Sequence, residues 1–169
     1  MPVKISWPAV IGIIHPNIGG WAGAYVTRQN IGPWYKFLKK PSWTPPNWAF
    51  GPVWTGLYCS MGYASYLVYQ ESGGFEKAVV PFTIYGTNLA LNWLWTPIFF
   101  GAHNIKLALY EIILLWSSTA ALSVSFYQVN KLAGYLILPY LAWTSLATAL
   151  NYAIYRDNKS MNTDDEKKK

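Results

Sequence analysis

Six side chains set in otherwise uncharged stretches hold the chemistry of this 169-residue chain: Trp54, Asn92, Trp95, Glu111, Trp143 and Asn151. An indole offers a flat face that stacks on a planar apolar partner, and one N–H donor. The amides donate and accept, and the carboxyl carries either a charge or a proton. No Ser/His/Asp set, metal-ligand cluster or phosphate-binding glycine loop accompanies them, so hydrolysis and nucleotide chemistry are unsupported. An ionisable group inside an apolar run is by default a functional candidate. For Glu111, Asn92 and Asn151 the competing reading is an interhelical hydrogen-bond clamp, and the sequence leaves both open.

The elements that must position these residues follow from where charge is missing. The uncharged runs are 5–27, 41–70, 78–105, 112–130 and 132–155, each at least 19 residues long. Crossing a bilayer takes roughly 17–25. Mean hydropathy is only weakly positive because Trp, Tyr, Pro and Gly score poorly on such scales, although membrane helices use them freely. A soluble helical domain needs a charged face on each helix, and these runs have none. The expectation is an all-α integral membrane protein, one bundle of five transmembrane helices within residues 1–157. The helices fall at 5–27, 46–70, 79–101, 104–128 and 133–156. The long aromatic loop 28–45 folds over the helix ends as a lid, and 158–169 is a charged flexible tail.

Stop and start signals refine this. Thr44 is placed to cap the second helix, Pro45 and Pro46 to fill its first turn, and Pro52 to free a carbonyl two turns inside. Trp43 and Trp48 suit a membrane boundary, whereas Trp54 lies deeper. Gly19, Gly20, Gly23 and Ala24 allow either close helix packing or room for a ligand. His15 lies in mid-span before Pro16, and the second axial ligand that haem would need is available only as His103, near the opposite face, which disfavours haem ligation. Cys59 is the single cysteine and reads as a small core residue. Lys4 is a meagre start for a cleavable signal, so the first span is expected to persist.

At about 1.5 Å per residue, Trp54 lies roughly 12 Å below one membrane face, Asn92 about 14 Å, Trp95 about 9 Å and Glu111 about 10 Å. Asn151 and Ala147 fall at roughly 8 and 13 Å, with Ala24 shallower. One layer under the long loop therefore collects a carboxyl, two amides and the indoles. On the fifth helix Pro139, Trp143, Ala147 and Leu150 share a face, which suits a flat apolar ligand or ordinary ridge packing. Leu150, Tyr152 and Arg156 match a weak sterol pattern, as do Val124, Tyr127 and Lys131. Leu150 and Tyr152 point about 200° apart, so a sterol on Tyr152 and Arg156 would sit on the outer face.

Dividing the charge by side orients the bundle. Lys4, Lys77 and Lys131 lie on one face and the other ten Lys and Arg on the opposite one. The positive-inside rule puts the 28–45 loop and the C-terminus in the cytosol. Nothing pairs these cations with a folded soluble surface, so nucleic acid is not an expected partner.

The chain closely resembles the translocator protein family, also known as the peripheral benzodiazepine receptor and, in bacteria, the tryptophan-rich sensory protein. The carriers are Trp34-Tyr35, Lys40-Pro41-Ser42-Trp43-Thr44-Pro45-Pro46, Pro52-x-Trp54, Leu89-Ala90-Leu91-Asn92-Trp93, Pro97-Ile98-Phe99-Phe100-Gly101, Pro139-Tyr140-Leu141-Ala142-Trp143 and Leu150-Asn151-Tyr152. The resemblance implies five helices around a pocket open toward the cytosol under the loop lid. It implies binding of cholesterol, porphyrins (protoporphyrin IX or haem as ligand, with no required cofactor or metal) and benzodiazepine- or isoquinoline-type drugs. It carries the ligand pocket onto Ala24, Trp54, Asn92, Trp95, Tyr110, Leu114, Trp143, Ala147 and Leu150, and the cholesterol motif onto Leu150, Tyr152 and Arg156. It further implies the outer mitochondrial membrane and a homodimer. Asn88, Leu107 and Tyr110 depart from the animal pattern and bear on drug affinity.

Three readings of function follow. In a binding and transport protein, a flat macrocycle would stack on Trp54, Trp95 and Trp143, its carboxylates facing Arg28, Lys39 or Lys40. In an enzyme, Trp54 and Trp143 match family tryptophans implicated in light- and oxygen-dependent breakdown of protoporphyrin IX. A regulatory scaffold at the mitochondrial surface is a third reading, with the long loop and the tail as its features.

Overall fold

The computed structural model describes residues 6–32 and 34–159. The tail from 160 onward lies outside the described residues. Among these residues there are no strands, and five long helices account for most of the chain: α1 Trp7–Asn30, α2 Asn47–Ser72, α3 Val79–Thr96, α4 Ile105–Val129 and α5 Lys131–Asp157. Short 3-10 turns at Tyr35–Phe37 and Phe75–Lys77 lie in the first two connections. A π-turn at Pro97–Gly101 prolongs α3.

Caps set the ends. Asn104 accepts from the Leu107 amide at 2.9 Å and starts α4. Asn130 accepts from the Ala133 amide at 3.0 Å and starts α5 one residue after α4 ends. Gly73 closes α2 with a left-handed φ of 73°, where glycine has no Cβ penalty. Thr44 does not cap α2: its hydroxyl donates to the Pro41 carbonyl at 2.7 Å. The proline at 46 disfavours a helical residue 45, and Pro46 itself is extended, so α2 starts at Asn47 without a side-chain cap.

Helix contacts are made where side chains vanish. A Cβ built on Gly62 would fall 2.1 Å from the Gly12 carbonyl oxygen, the oxygen that Pro16 frees four residues later. There α1 and α2 touch backbone to backbone. Further along α1, a Cβ on Gly19 would overlap the Trp93 ring and one on Gly20 the Tyr58 ring. These glycines serve packing, but the packing is of rings from other helices into the gap rather than of backbone on backbone.

The polar and apolar residues are distributed inside out. Asn88, Asn92, Thr119, Thr144 and Asn151 are buried, while Trp7, Ile11, Ile14, Ile18, Trp21 and Tyr25 form an exposed stripe on α1. A relay of hydrogen bonds threads the interior: Tyr58 donates to Asn92, Asn92 to Tyr140 at 2.7 Å, Tyr140 to Asn88 at 3.2 Å, and Asn88 to Ser118 and Thr119 at 2.8 and 2.9 Å. It ties α2, α3, α4 and α5 together. By length and composition, α4 and α5 are apolar enough to cross a membrane; α1 to α3, richer in Trp, Tyr, Gly and Pro, fall below that hydropathy.

Candidate functional site

A cavity of about 440 Å³ lies in the half of the bundle next to the 28–45 loop. Its position follows from the helix contacts. The helices α1 and α2 meet at Gly12 and Gly62 and leave space further toward the loop, where Gly19, Gly20 and Gly23 face it. Small-molecule sites typically occupy about 300–1,000 Å³, so the volume suits a ligand.

Aromatic rings build one wall. Trp54 stacks on Tyr58, with centroids 5.5 Å apart, and meets Trp143 edge to face at 6.4 Å. Trp95 stacks on Phe99 at 4.8 Å. Between the rings the lining is aliphatic: Ala147, Leu150, Ile112 and Leu115. Polar groups are few. Asn92 is held by Tyr58 and Tyr140. Asn151 donates to the Ala147 carbonyl at 3.2 Å, and its Oδ1 is buried without a partner. The indole nitrogens of Trp95 and Trp143 are likewise buried and unpaired.

The structure brings together Ala24, Trp54, Asn92, Trp95, Trp143, Ala147, Leu150 and Asn151 around this space. It does not bring Tyr110 or Leu114 there. Both are mostly exposed, at 59% and 58%. Ile112 and Leu115 line the cavity instead, and residues two away from Ile112 sit about 200° around a helix. Glu111 is buried beside the layer, but it does not line the cavity and neither carboxyl oxygen has a hydrogen-bond partner. The clamp reading thus describes Asn92, not Glu111. Tyr58 went unnoticed in the sequence, although it follows Trp54 by one turn on the same face.

Among the basic residues, Arg28 lines the cavity and Lys39 and Lys40 do not. The Lys40 ammonium donates to the Tyr35 and Leu38 carbonyls at 2.6 and 2.9 Å and lies 4.5 Å from the Tyr35 ring centre. Burial holds its pKa below the ordinary lysine value and raises that of Tyr35. The loop is pinned elsewhere too. Trp34 stacks on His103 at 4.3 Å, and His103 Nε2 bonds to Asn30 Oδ1 at 2.9 Å. His15 bonds to the Tyr85 hydroxyl at 2.8 Å, so the two histidines are engaged far from one another.

The sterol pattern is divided between two surfaces. Leu150 is buried at the cavity, while Tyr152 is exposed in an outer groove between α4 and α5 with Leu109, Ile113, Trp116, Ser145, Thr148 and Ala149. Arg156 pairs with its neighbour Asp157 at 2.7 Å.

Comparison with known proteins gives the same picture across the chain. The TspO/MBR family profile matches residues 12–156. The translocator protein of Homo sapiens is 49% identical over 152 residues, covering 89% of this chain and 90% of the relative. That of Sus scrofa is 46% identical over 156 residues, covering 90% of each. The tryptophan-rich protein TspO of Archaeoglobus fulgidus is 43% identical over 136 residues, covering 80% of this chain and 87% of the relative. With a family profile spanning all five helices and relatives this similar over nearly their whole length, the chain belongs to the TspO/MBR family.

Proposed function

We propose that this protein is a membrane receptor and carrier that takes flat apolar molecules, porphyrins and cholesterol among them, into the cavity between its helices. The observation that carries this reading is the cavity wall itself: three tryptophans, Trp54, Trp95 and Trp143, around a largely apolar space of about 440 Å³. Aromatic faces gain most from planar partners, and a few fixed polar groups give orientation. Arg28 at the rim supplies a cation for a ligand carboxylate. Benzodiazepine- and isoquinoline-type drugs fit the same description, and Asn88, Leu107 and Tyr110 bear on them less directly, since none lines the cavity.

The membrane setting is supported by the inside-out distribution of residues. A contiguous apolar exterior of this extent is unusual for a soluble monomer, and all five helices have the length to cross. By the positive-inside rule, the 28–45 loop and the C-terminus face the cytosol. The family resemblance implies the outer mitochondrial membrane as the site and a homodimer as the working assembly.

A second reading is favoured by one contact. Trp54 and Trp143 touch edge to face inside the cavity, so an excited porphyrin held there would lie against two oxidisable rings. Light- and oxygen-dependent porphyrin breakdown would use this pair. A protoporphyrin IX titration in nanodiscs, in the dark and then in light, separates the two. A carrier shows saturable tryptophan quenching and porphyrin absorbance that stays constant in light, with affinity lowered about tenfold by Ala147→Leu, which fills the wall. Loss of absorbance in light that disappears when Trp54 and Trp143 are both replaced by Phe makes it an enzyme. Unchanged affinity in Ala147→Leu sinks the cavity as the binding site.

A further inference from the structure

Two sides of the cavity differ in how they are closed. Toward the loop the closure is tight. Tyr35 and Leu38 are 6% and 4% exposed, packed with Phe99, Phe100 and Ile154. Behind them Asn158, itself 3% exposed, grips the loop backbone from both sides. Its Oδ1 accepts from the Lys39 amide at 3.0 Å, and its Nδ2 donates to the Lys39 carbonyl at 2.9 Å. The same Nδ2 bonds the Ile154 carbonyl at 2.7 Å, so the end of α5 and the loop are one hydrogen-bonded unit.

Between α1 and α2 there is no such closure. Trp21, Ala24 and Arg28 on α1 and Asn47, Gly51 and Thr55 on α2 line the cavity and are all exposed. Their spacings of three and four place each set along one edge of its helix. Nothing lies within 4 Å of a Cβ built on Gly51. The two helices touch at Gly12 and Gly62 and part toward the loop end, leaving a slit. By depth along α2, the slit opens at the level of the acyl chains, with Arg28 at the headgroup level.

We propose that ligands reach the cavity sideways from the bilayer, through the slit between α1 and α2, and not from the cytosol under the loop. This rests on the ligand reading of the cavity given above. The ligand class that follows is a membrane-partitioned, flat apolar molecule, entering edge first past Gly51, with any carboxylate trailing at Arg28. Asn158 is then a positioning residue that holds the loop as a fixed wall.

Gly51→Leu tests the route. The added side chain has open space, and leucine favours a helix more than glycine does, so the fold should persist. Association and dissociation of protoporphyrin IX, followed by stopped-flow tryptophan quenching in phosphatidylcholine nanodiscs, should both slow by about tenfold. Asn158→Ala should change neither rate, while amide exchange of residues 34–40 quickens. Unchanged rates in Gly51→Leu overturn the proposal. So does faster dissociation with unaltered association, which would make Gly51 part of the binding wall only, and so does faster association in Asn158→Ala. Should Asn158→Ala fail to fold, the milder Asn158→Ser decides: unchanged association supports the route, and faster association overturns it. Absence of binding in the wild type overturns the ligand reading and the route together, whereas failure confined to the variants overturns the route alone.

Discussion

Asn92 has both ends of its amide committed, to Tyr58 and to Tyr140, and Tyr58 in turn stacks on Trp54 at the cavity. A residue that sequence places as either clamp or ligand contact is in the structure a clamp whose other end positions a cavity-facing ring. Asn92→Ala leaves two buried hydroxyls short of a partner, at about 1–3 kcal/mol. The melting temperature in nanodiscs should fall by about 3–10 °C. An unaltered melting curve would show that water replaces the amide. At this scale the residues that are distinctive by type, the indoles and amides, were legible. Side-chain direction was not. Tyr110 and Leu114 were assigned to the cavity through the family likeness, whereas the rotation of α4 presents Ile112 and Leu115. An all-apolar helix has no polar face to fix that rotation in advance.

The elements themselves were readable, because charge gaps and Asn, Gly and Pro punctuation mark them well. Each helix lies within a few residues of its expected bounds. The loop-to-α2 entry was missed because two consecutive prolines push the start past Thr44. The π-turn at Pro97–Gly101 has no sequence signal that separates it from a helix end. The glycine stretch of α1 was legible as small but not as to what fills it. Of all the glycines, Gly62 leaves the least room, since a methyl there would meet backbone rather than a movable side chain. Gly62→Ala should force α1 and α2 apart and cost about 1–3 kcal/mol. Thermal unfolding should register this as an earlier transition, and a transition at the wild-type temperature would refute the backbone contact.

The arrangement of the whole molecule rests on charge. Applied to ten basic residues against three, the positive-inside rule predicts residues 28–45 on the cytosolic side. In a Cys59→Ser background, cysteines at Lys36 and Glu76 should label from opposite sides of sealed membrane vesicles of known orientation with an impermeant maleimide. Labelling of both from one side would contradict the orientation. The bundle is held by an interior polar relay and by helix gaps filled with rings, and a hydropathy average registers neither. That is why the architecture was legible from charge spacing while α1, α2 and α3 fall short on composition.

The unequal hydropathy of the helices has a consequence for how the protein is made. The two helices apolar enough to enter a bilayer on their own strength are α4 and α5. They form an antiparallel hairpin joined by Asn130 alone, and they follow the first three helices in the chain. The first three helices, with their glycines, prolines and indoles, score lower and gain much of their packing only when Trp93 and Tyr58 settle into the gaps of α1. Biogenesis should therefore run against the order of synthesis. The late hairpin is expected to settle in the lipid first, with the gaps of α1 filled by Trp93 and Tyr58 as the bundle closes.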